Sequence, residues 1–185
     1  PCGDDGYRKI CETVPGWEVV CGEPHELPEM MHDCEVFCGH ARVPVDWAPV
    51  VARGRLQWIQ SSAAGLDHCL TPPVIESKIR VSSCSGLFRD SVAEQALALL
   101  LGLVRNLPEF MRARQRKEFI RRPTHDLHEM TVGIAGFGGN GQRLAELLVP
   151  VARRVVASDL YASELEGLDG IPRIDRLYPA EQLDE

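Results

Sequence analysis

The sequence lacks the basic surplus that binding to nucleic acid or to an anionic membrane requires. Its 27 acidic side chains outnumber its 20 lysines and arginines, and its formal net charge at pH 7 is −7. A negative surface field repels phosphate-rich partners, so we expect neither nucleic acid nor membrane as a partner. The local basic stretch from Arg112 to Arg122 is therefore interpreted as a solvated helix face.

Long hydrophobic runs are also absent. The longest apolar stretch, Ala96 to Val104, is far shorter than the roughly 20 residues that a helix needs to span a bilayer. The chain opens at Pro1 without the charged segment and apolar core of a signal peptide. The cytoplasm is therefore the expected location.

The 7 cysteines lack CxxC spacing, and their odd number argues against a disulfide framework. We expect reduced thiols that pack as small apolar side chains. His32, Cys34, Cys38 and His40 have the residue types of a zinc site. Residues 34–38 are typical of a strand, however, in which sulfurs four residues apart lie about 13 Å from each other. Because those two sulfurs cannot bind one tetrahedral ion, we predict no metal site.

The feature that organises the sequence is a glycine-rich turn between an apolar strand and a helix. Gly136, Gly138 and Gly141 follow the apolar residues 132–135 with the spacing G-x-G-x-x-G. In a dinucleotide site the first glycine permits the tight turn, the second lets the backbone approach a pyrophosphate, and the third lets helix and strand pack closely. The helix then points its free N–H groups and its positive dipole end at the pyrophosphate. An ordinary turn without a ligand is the alternative.

Asp159 supports the cofactor interpretation. It follows the apolar run 155–158, about 20 residues beyond the glycines, where a carboxylate can accept hydrogen bonds from the adenosine ribose. The same charge would repel a 2′-phosphate, and no arginine directly follows it. We therefore predict NAD rather than NADP as the cofactor.

Strands and helices alternate along the chain, which predicts an α/β fold with parallel, helix-covered sheets. In a first domain, residues 1–87, we expect helices at 5–11, 27–32 and 45–52 and strands at 17–21, 36–38, 56–59 and 79–82. In a second domain, residues 88–185, we expect strands at 132–135 and 155–158. The first helix has no strand before it. The glycine loop predicts a Rossmann domain, the fold that binds dinucleotides, and two strands do not complete such a domain. We therefore expect both domains to continue outside the 185 residues.

The segment from Ser91 to Val104 predicts a helix that is buried on every side. Ser91 and Glu94 have the spacing of a capping box, and the residues from Ala96 onward are apolar on nearly every face. Such a helix would run between two domains or against a second subunit. We expect it to end before Pro108.

The loop after the 56–59 strand is a second candidate ligand site. Its small residues, up to Gly65, come at the carboxyl edge of the predicted sheet, where α/β proteins bind ligands. An ordinary strand-to-helix connection is the alternative. Ser61, Ser62 and Cys84 lie outside any G-x-S-x-G elbow, which argues against covalent catalysis.

Three segments together resemble the D-isomer-specific 2-hydroxyacid dehydrogenases. They are residues 56–68 (LQWIQSSAAGLDH), 92–105 (VAEQALALLLGLVR) and 131–141 (TVGIAGFGGNG), in the order and at about the spacing of that family. The resemblance implies a flavodoxin-like substrate domain followed by a Rossmann NAD-binding domain. It also implies that NAD and a 2-oxo or D-2-hydroxy acid are bound between them, and that the protein forms a homodimer through the second domain.

The same resemblance implies roles for particular residues. Ala64 and Gly65 would hold the substrate carboxylate near the nicotinamide, so that Ala64 also borders the cofactor. Gly139 and Asn140 would lie under the pyrophosphate and Asp159 would hold the ribose. Family members commonly have Arg-Ile where this sequence has Gly139-Asn140, a departure that makes the loop softer.

No catalytic residue is assigned within the 185 residues, because the family's catalytic arginine, glutamate and histidine would come after Glu185. There the arginine would polarise the substrate carbonyl, and the histidine, steadied by the glutamate, would pass the proton. The implied activity is NAD-dependent interconversion of a D-2-hydroxy acid and a 2-oxo acid, as in glyoxylate and hydroxypyruvate reductases. The alternative is a non-catalytic NAD(H)-sensing protein on the same scaffold.

Overall fold

A computed structural model describes residues 3–39, 45–165 and 169–183. The chain divides into two compact units, residues 1–85 and 86–185. Each unit has an α/β fold with one small parallel sheet of three strands. The predicted class of α/β fold with parallel sheets is confirmed at this level.

The first unit builds its core where helices cover one face of its sheet. The strands pair in parallel in the order β1-β2-β3, and Phe37 of the first strand is in register with the fully buried Ile59 of the second. Ile59 packs in a cluster with Val50 and Trp47 from a covering helix. The elements of this unit are α1 (Asp4–Thr13), α2 (Leu27–Met30), β1 (Val36–Gly39), α3 (Trp47–Arg53), β2 (Trp58–Ser61), α4 (Pro72–Ile75) and β3 (Arg80–Ser82).

Most predicted elements of this unit are present with shifted ends, and one is wrong. The strand expected at 17–21 is absent, since this described stretch has no regular structure and leaves Trp17 58% exposed. An apolar run forms a strand only where a neighbouring strand pairs with its backbone, and the sequence pattern does not report that partner. Helix α3 begins one residue after Asp46, whose carboxylate accepts a hydrogen bond from the Ala48 amide at 3.2 Å. Pro44, which was expected to open this helix, lies outside the described residues.

The Cys34–Cys38 stretch is a strand only in its second half. Cys38 lies within β1, whereas Cys34 precedes the strand. Cys34 is half-buried, and its Sγ lies 3.5 Å from the Met31 carbonyl oxygen. Burial raises the pKa of the Cys34 thiol, which keeps it protonated and unreactive. His40 lies outside the described residues.

The second unit has a third strand that the sequence analysis did not anticipate. Strand β6 pairs in parallel with β5, which in turn pairs with β4. The core beneath this sheet contains the fully buried Phe137, Leu148 and Val155. The elements of this unit are α5 (Arg89–Val104), α6 (Leu107–Gln115), β4 (Thr131–Ala135), α7 (Gly139–Leu148), β5 (Arg154–Asp159), α8 (Ala162–Leu165) and β6 (Arg176–Pro179).

Helix α5 does not show the burial on every side that its sequence predicts. Leu97 and Leu100 pack against the core of the second unit. On other sides of the helix, Leu99 and Leu103 are 59% and 66% exposed. The core of this unit therefore accounts for one side of the helix only, and the expectation of a second domain or subunit against the other sides stays a prediction.

The ends of α5 correct one prediction and confirm another. The capping box is not formed, because the helix begins at Arg89 and the Ser91 hydroxyl donates to the Phe88 carbonyl at 3.0 Å. The helix ends at Val104, and Asn106 in the left-handed conformation, with φ +54°, separates it from α6.

No helix within the described ranges is long and apolar enough to cross a membrane.

The basic stretch from Arg112 to Arg122 is exposed, as predicted, but only its first part lies on a helix, because α6 ends at Gln115. Arg112 lies on α6 and pairs with Glu109 at 2.9 Å, and Arg116 follows directly after the helix. The hydrogen bond from Arg112 lowers the pKa of the Glu109 carboxyl. Because the Arg112 side chain is exposed and that of Glu109 is only partly buried, we expect this ion pair to add little stability.

Candidate functional site

The loop between β4 and α7 has the geometry that the glycine spacing predicts. Gly136 has φ +93°, a conformation that side chains disfavour. A Cβ atom on Gly141 would lie 2.1 Å from the Gly136 carbonyl oxygen, so the helix and the turn are in direct contact there. A Cβ atom on Gly138 or Gly139 would meet no described atom within 4 Å. Two glycines are thus required by the fold, and two border open space.

The first turn of α7 presents backbone donors beside this open space. The helix begins at Gly139, and its N-cap residue, Gly138, has no side chain that could accept a hydrogen bond. The amides of Gly139, Asn140 and Gly141 therefore have no acceptor inside the helix. They lie at the positive end of the helix dipole, so this end of α7 suits an anionic group such as a pyrophosphate.

Phe137 is held from three sides. Its ring is fully buried in the core of the second unit. Its N–H donates to Oδ2 of Asp159 at 2.6 Å, and its carbonyl oxygen accepts from Nε2 of Gln142 at 2.9 Å. The residue between the first two glycines is therefore fixed by packing and by hydrogen bonds at both ends.

Asp159 is the last residue of β5 and lies next to the glycine loop, as the sequence predicts. It is partly buried, and its Oδ1 accepts from the Tyr161 amide at 2.9 Å. Both carboxylate oxygens thus bind backbone amides of this chain. The sequence predicts that the carboxylate binds a ribose, but it does not predict these two contacts with the backbone. A hydrogen bond between an aspartate and an amide 22 residues away produces no recognisable spacing in the sequence.

Arg143 of α7 forms an ion pair with Asp90 of α5 beside the loop. Its guanidinium lies 2.6 Å from a carboxylate oxygen of Glu146 and 2.6 Å from one of Asp90. The hydrogen bonds to Glu146 and then to Asp90 raise the pKa of Arg143. The start of α7 is therefore tied to the first turn of α5.

The second candidate site, the loop after β2, belongs to the first unit. Ala64 and Gly65 are both exposed there. Ser61 is fully buried; its Oγ accepts from the Ala63 amide at 3.1 Å and lies 3.2 Å from Nε2 of His68. A buried hydroxyl with these partners supports the loop from beneath. The contact with His68 was missed by sequence reasoning, because a lone histidine seven residues further on carries no motif.

The predicted site residues thus fall into two groups. Gly136, Gly138, Gly139, Asn140, Gly141 and Asp159 come together around one loop of the second unit. Ala64 and Gly65 lie on a loop of the first unit. The ligand roles of both groups stay predictions.

Comparison with known proteins finds a family match for most of the second unit. Residues 97–177 match the family described as D-isomer specific 2-hydroxyacid dehydrogenase, NAD binding domain. The chain is 26% identical to D-3-phosphoglycerate dehydrogenase of Methanocaldococcus jannaschii over 91% of its length. It is 32% identical to glyoxylate reductase/hydroxypyruvate reductase of Mus musculus over 54% of its length.

A solved structure supports the fold. D-lactate dehydrogenase from Aquifex aeolicus, complexed with NAD and lactic acid, aligns with 85% of this chain at a TM-score of 0.67 and 19% sequence identity. The chain spans 34% and 32% of the lengths of the two curated relatives and 49% of that solved chain. The region that matches the NAD-binding domain of the D-isomer-specific 2-hydroxyacid dehydrogenase family, residues 97–177, holds the glycine loop and Asp159.

Proposed function

We propose that the whole protein is a NAD-dependent oxidoreductase that interconverts a D-2-hydroxy acid and a 2-oxo acid by hydride transfer. The observation that carries this proposal is the loop at residues 136–141. Within the region that matches the NAD-binding domain, Gly138 and Gly139 border open space beside the free amides of α7. The names of the relatives support the substrate class, since lactate, 3-phosphoglycerate, glyoxylate and hydroxypyruvate are all 2-hydroxy or 2-oxo acids or their phosphorylated forms.

In this proposal the first unit is a flavodoxin-like substrate domain and the second is a Rossmann domain. The amides at the start of α7 hold the pyrophosphate of NAD, and Asp159 holds its adenosine ribose. The negative charge of Asp159 favours NAD over NADP, because it repels a 2′-phosphate. The backbone at Ala64 and Gly65 holds the carboxylate of the acid.

The bound cofactor supplies the hydride, while a protein group must donate or accept the proton at the substrate oxygen. The resemblance assigns this proton transfer to an arginine, a glutamate and a histidine beyond Glu185, so none of the residues described above is given a catalytic role. The 185 residues contribute binding and orientation of the two reactants.

The proposal is tested with the whole protein in two measurements. NADH binding is followed by fluorescence titration, and oxidation of NADH is followed with a panel of 2-oxo acids that includes glyoxylate, hydroxypyruvate and pyruvate. We expect NADH binding and turnover of at least one acid. Absence of NADH binding would contradict the proposal. NADH binding without turnover of any acid would favour the alternative, a NAD(H)-sensing binding protein.

We also propose that the protein forms a homodimer through its second unit. The exposed apolar side chains at the end of α5 and in α6 support this proposal, since Leu103 and Met111 are each 66% exposed and Leu107 is 51% exposed. Monomeric proteins rarely leave such a run of large apolar residues in water. A second copy of the chain would cover it.

A further inference from the structure

We infer that Asp159 and Gln142 are positioning residues that hold the glycine loop ready for the pyrophosphate, in addition to the ribose contact proposed for Asp159. This inference rests on the proposed function. It differs from the ribose role because it acts through the Phe137 peptide and applies to a ligand that has no ribose.

The geometry of Phe137 carries the inference. The Asp159 carboxylate accepts from its N–H at 2.6 Å, and the Gln142 side chain donates to its carbonyl at 2.9 Å. Hydrogen bonds from a backbone amide to a carboxylate are among the stronger ones in proteins. With the phenyl ring fully buried beneath, this residue has little freedom to rotate.

The two glycines that follow Phe137 make the restraint on its backbone important. Glycine has more backbone freedom than any other residue, and Gly138 and Gly139 have open space around their Cα atoms. The second glycine, Gly139, is the first residue of α7. A loop of this composition must lose conformational entropy when it binds an anion, unless it is ordered beforehand. The hydrogen bonds that fix the Phe137 backbone order the loop before the anion binds.

The two roles of Asp159 are compatible with each other. An ionised carboxylate can accept about four hydrogen bonds. The amides of Phe137 and Tyr161 occupy two of these positions, and two remain for the hydroxyl groups of a ribose. An asparagine at this position could not accept at both atoms, because its amide nitrogen is a donor.

Inorganic pyrophosphate separates the two roles, since it has the phosphates of NAD and no ribose. We would titrate the whole protein and its Asp159→Asn variant with pyrophosphate and with NADH, following backbone amide signals by NMR. If Asp159 positions the loop, the variant binds pyrophosphate about tenfold more weakly, the equivalent of one charge-assisted hydrogen bond. A role limited to the ribose predicts the opposite, because removal of a negative charge would leave pyrophosphate binding unchanged or tighter.

Asp175→Asn is the matched control. Asp175 also accepts from a backbone amide, that of Val155, at 2.7 Å, but at the start of β5 rather than beside the glycine loop. We expect this variant to bind pyrophosphate and NADH as the wild-type chain does. Hydrogen exchange of the Phe137 amide in the ligand-free chain gives a second readout, which we expect to quicken by about tenfold in Asp159→Asn and to be unchanged in Asp175→Asn.

Gln142→Met keeps the inference testable if Asp159→Asn fails to fold. This variant removes the contact at the Phe137 carbonyl and leaves Asp159 in place, and we expect pyrophosphate affinity to fall by about threefold. Unchanged pyrophosphate affinity in Asp159→Asn, or in Gln142→Met if that is the folded variant, would overturn the positioning role while leaving the proposed function intact. A whole wild-type protein that binds neither pyrophosphate nor NADH would contradict both.

Discussion

Gly141 and Gly139 are neighbours in one loop, yet their missing Cβ atoms serve different purposes. At Gly141 the Cβ would lie 2.1 Å from a backbone oxygen, whereas at Gly139 it would stand in open space. We expect Gly141→Ala to destabilise the fold by about 1–3 kcal/mol, because a backbone atom must move. Gly139→Ala should leave the folding stability nearly unchanged and weaken NADH binding. Urea denaturation with NADH titration of both variants tests this, and equal stability losses would contradict it.

Asp159 is also the residue on which the predicted cofactor preference depends. Replacing it with alanine removes both the proposed ribose acceptor and the charge that repels a 2′-phosphate. We expect Asp159→Ala to weaken NADH binding and to narrow the difference in affinity between NADH and NADPH. Titration of wild-type and variant chains with both dinucleotides measures this. Unchanged affinities for both would show that Asp159 does not reach the adenosine ribose.

At the scale of elements, α5 is present but differs from its prediction in burial. Its sequence is apolar around the helix, but the described core covers one side and leaves Leu103 two-thirds exposed. If a second copy covers this part, Leu103→Glu would place a charge in the interface. We expect this substitution to shift the protein from dimer to monomer in light scattering with size-exclusion chromatography. Leu160→Glu, at a 78% exposed leucine after β5, is the matched control and should leave the mass unchanged. A wild-type monomer, or a Leu103→Glu dimer, would contradict the proposed interface.

Strand β6 and the stretch at 17–21 show the limit of pattern recognition for elements. Residues 17–21 include the apolar Trp17, Val19 and Val20 and have no regular structure, whereas β6, with Arg176 at its start and Pro179 at its end, is a strand. Residues 176–179 form a strand because they pair with β5, in which Ala157 is the partner of Leu177, 20 residues further along the chain. A strand exists through such non-local hydrogen bonds, which hydrophobic periodicity does not encode.

At the scale of the whole molecule, we expect the 185-residue chain by itself to bind NADH weakly at best and to have no reductase activity. The reaction needs a proton donor within reach of the substrate oxygen. None of the chain's 6 histidines follows the glycine loop, where we expect the donor from the resemblance to the dehydrogenase family. Stopped-flow or steady-state oxidation of NADH with 2-oxo acids measures this. Turnover that is abolished by mutation of one of those histidines would overturn the assignment of roles.

The sequence by itself determined the glycine loop, the neighbouring Asp159, the α/β class and the resemblance to a dehydrogenase family. These features follow from local constraints, since a positive φ, a missing Cβ and an apolar strand before a helix can all be read within about 30 residues. Only the tertiary structure decided that Asp159 binds the Phe137 amide, that Ser61 meets His68, and that α5 is covered on one side. Each of these depends on which distant segments the packed core brings together, and the sequence contains no spacing rule for that.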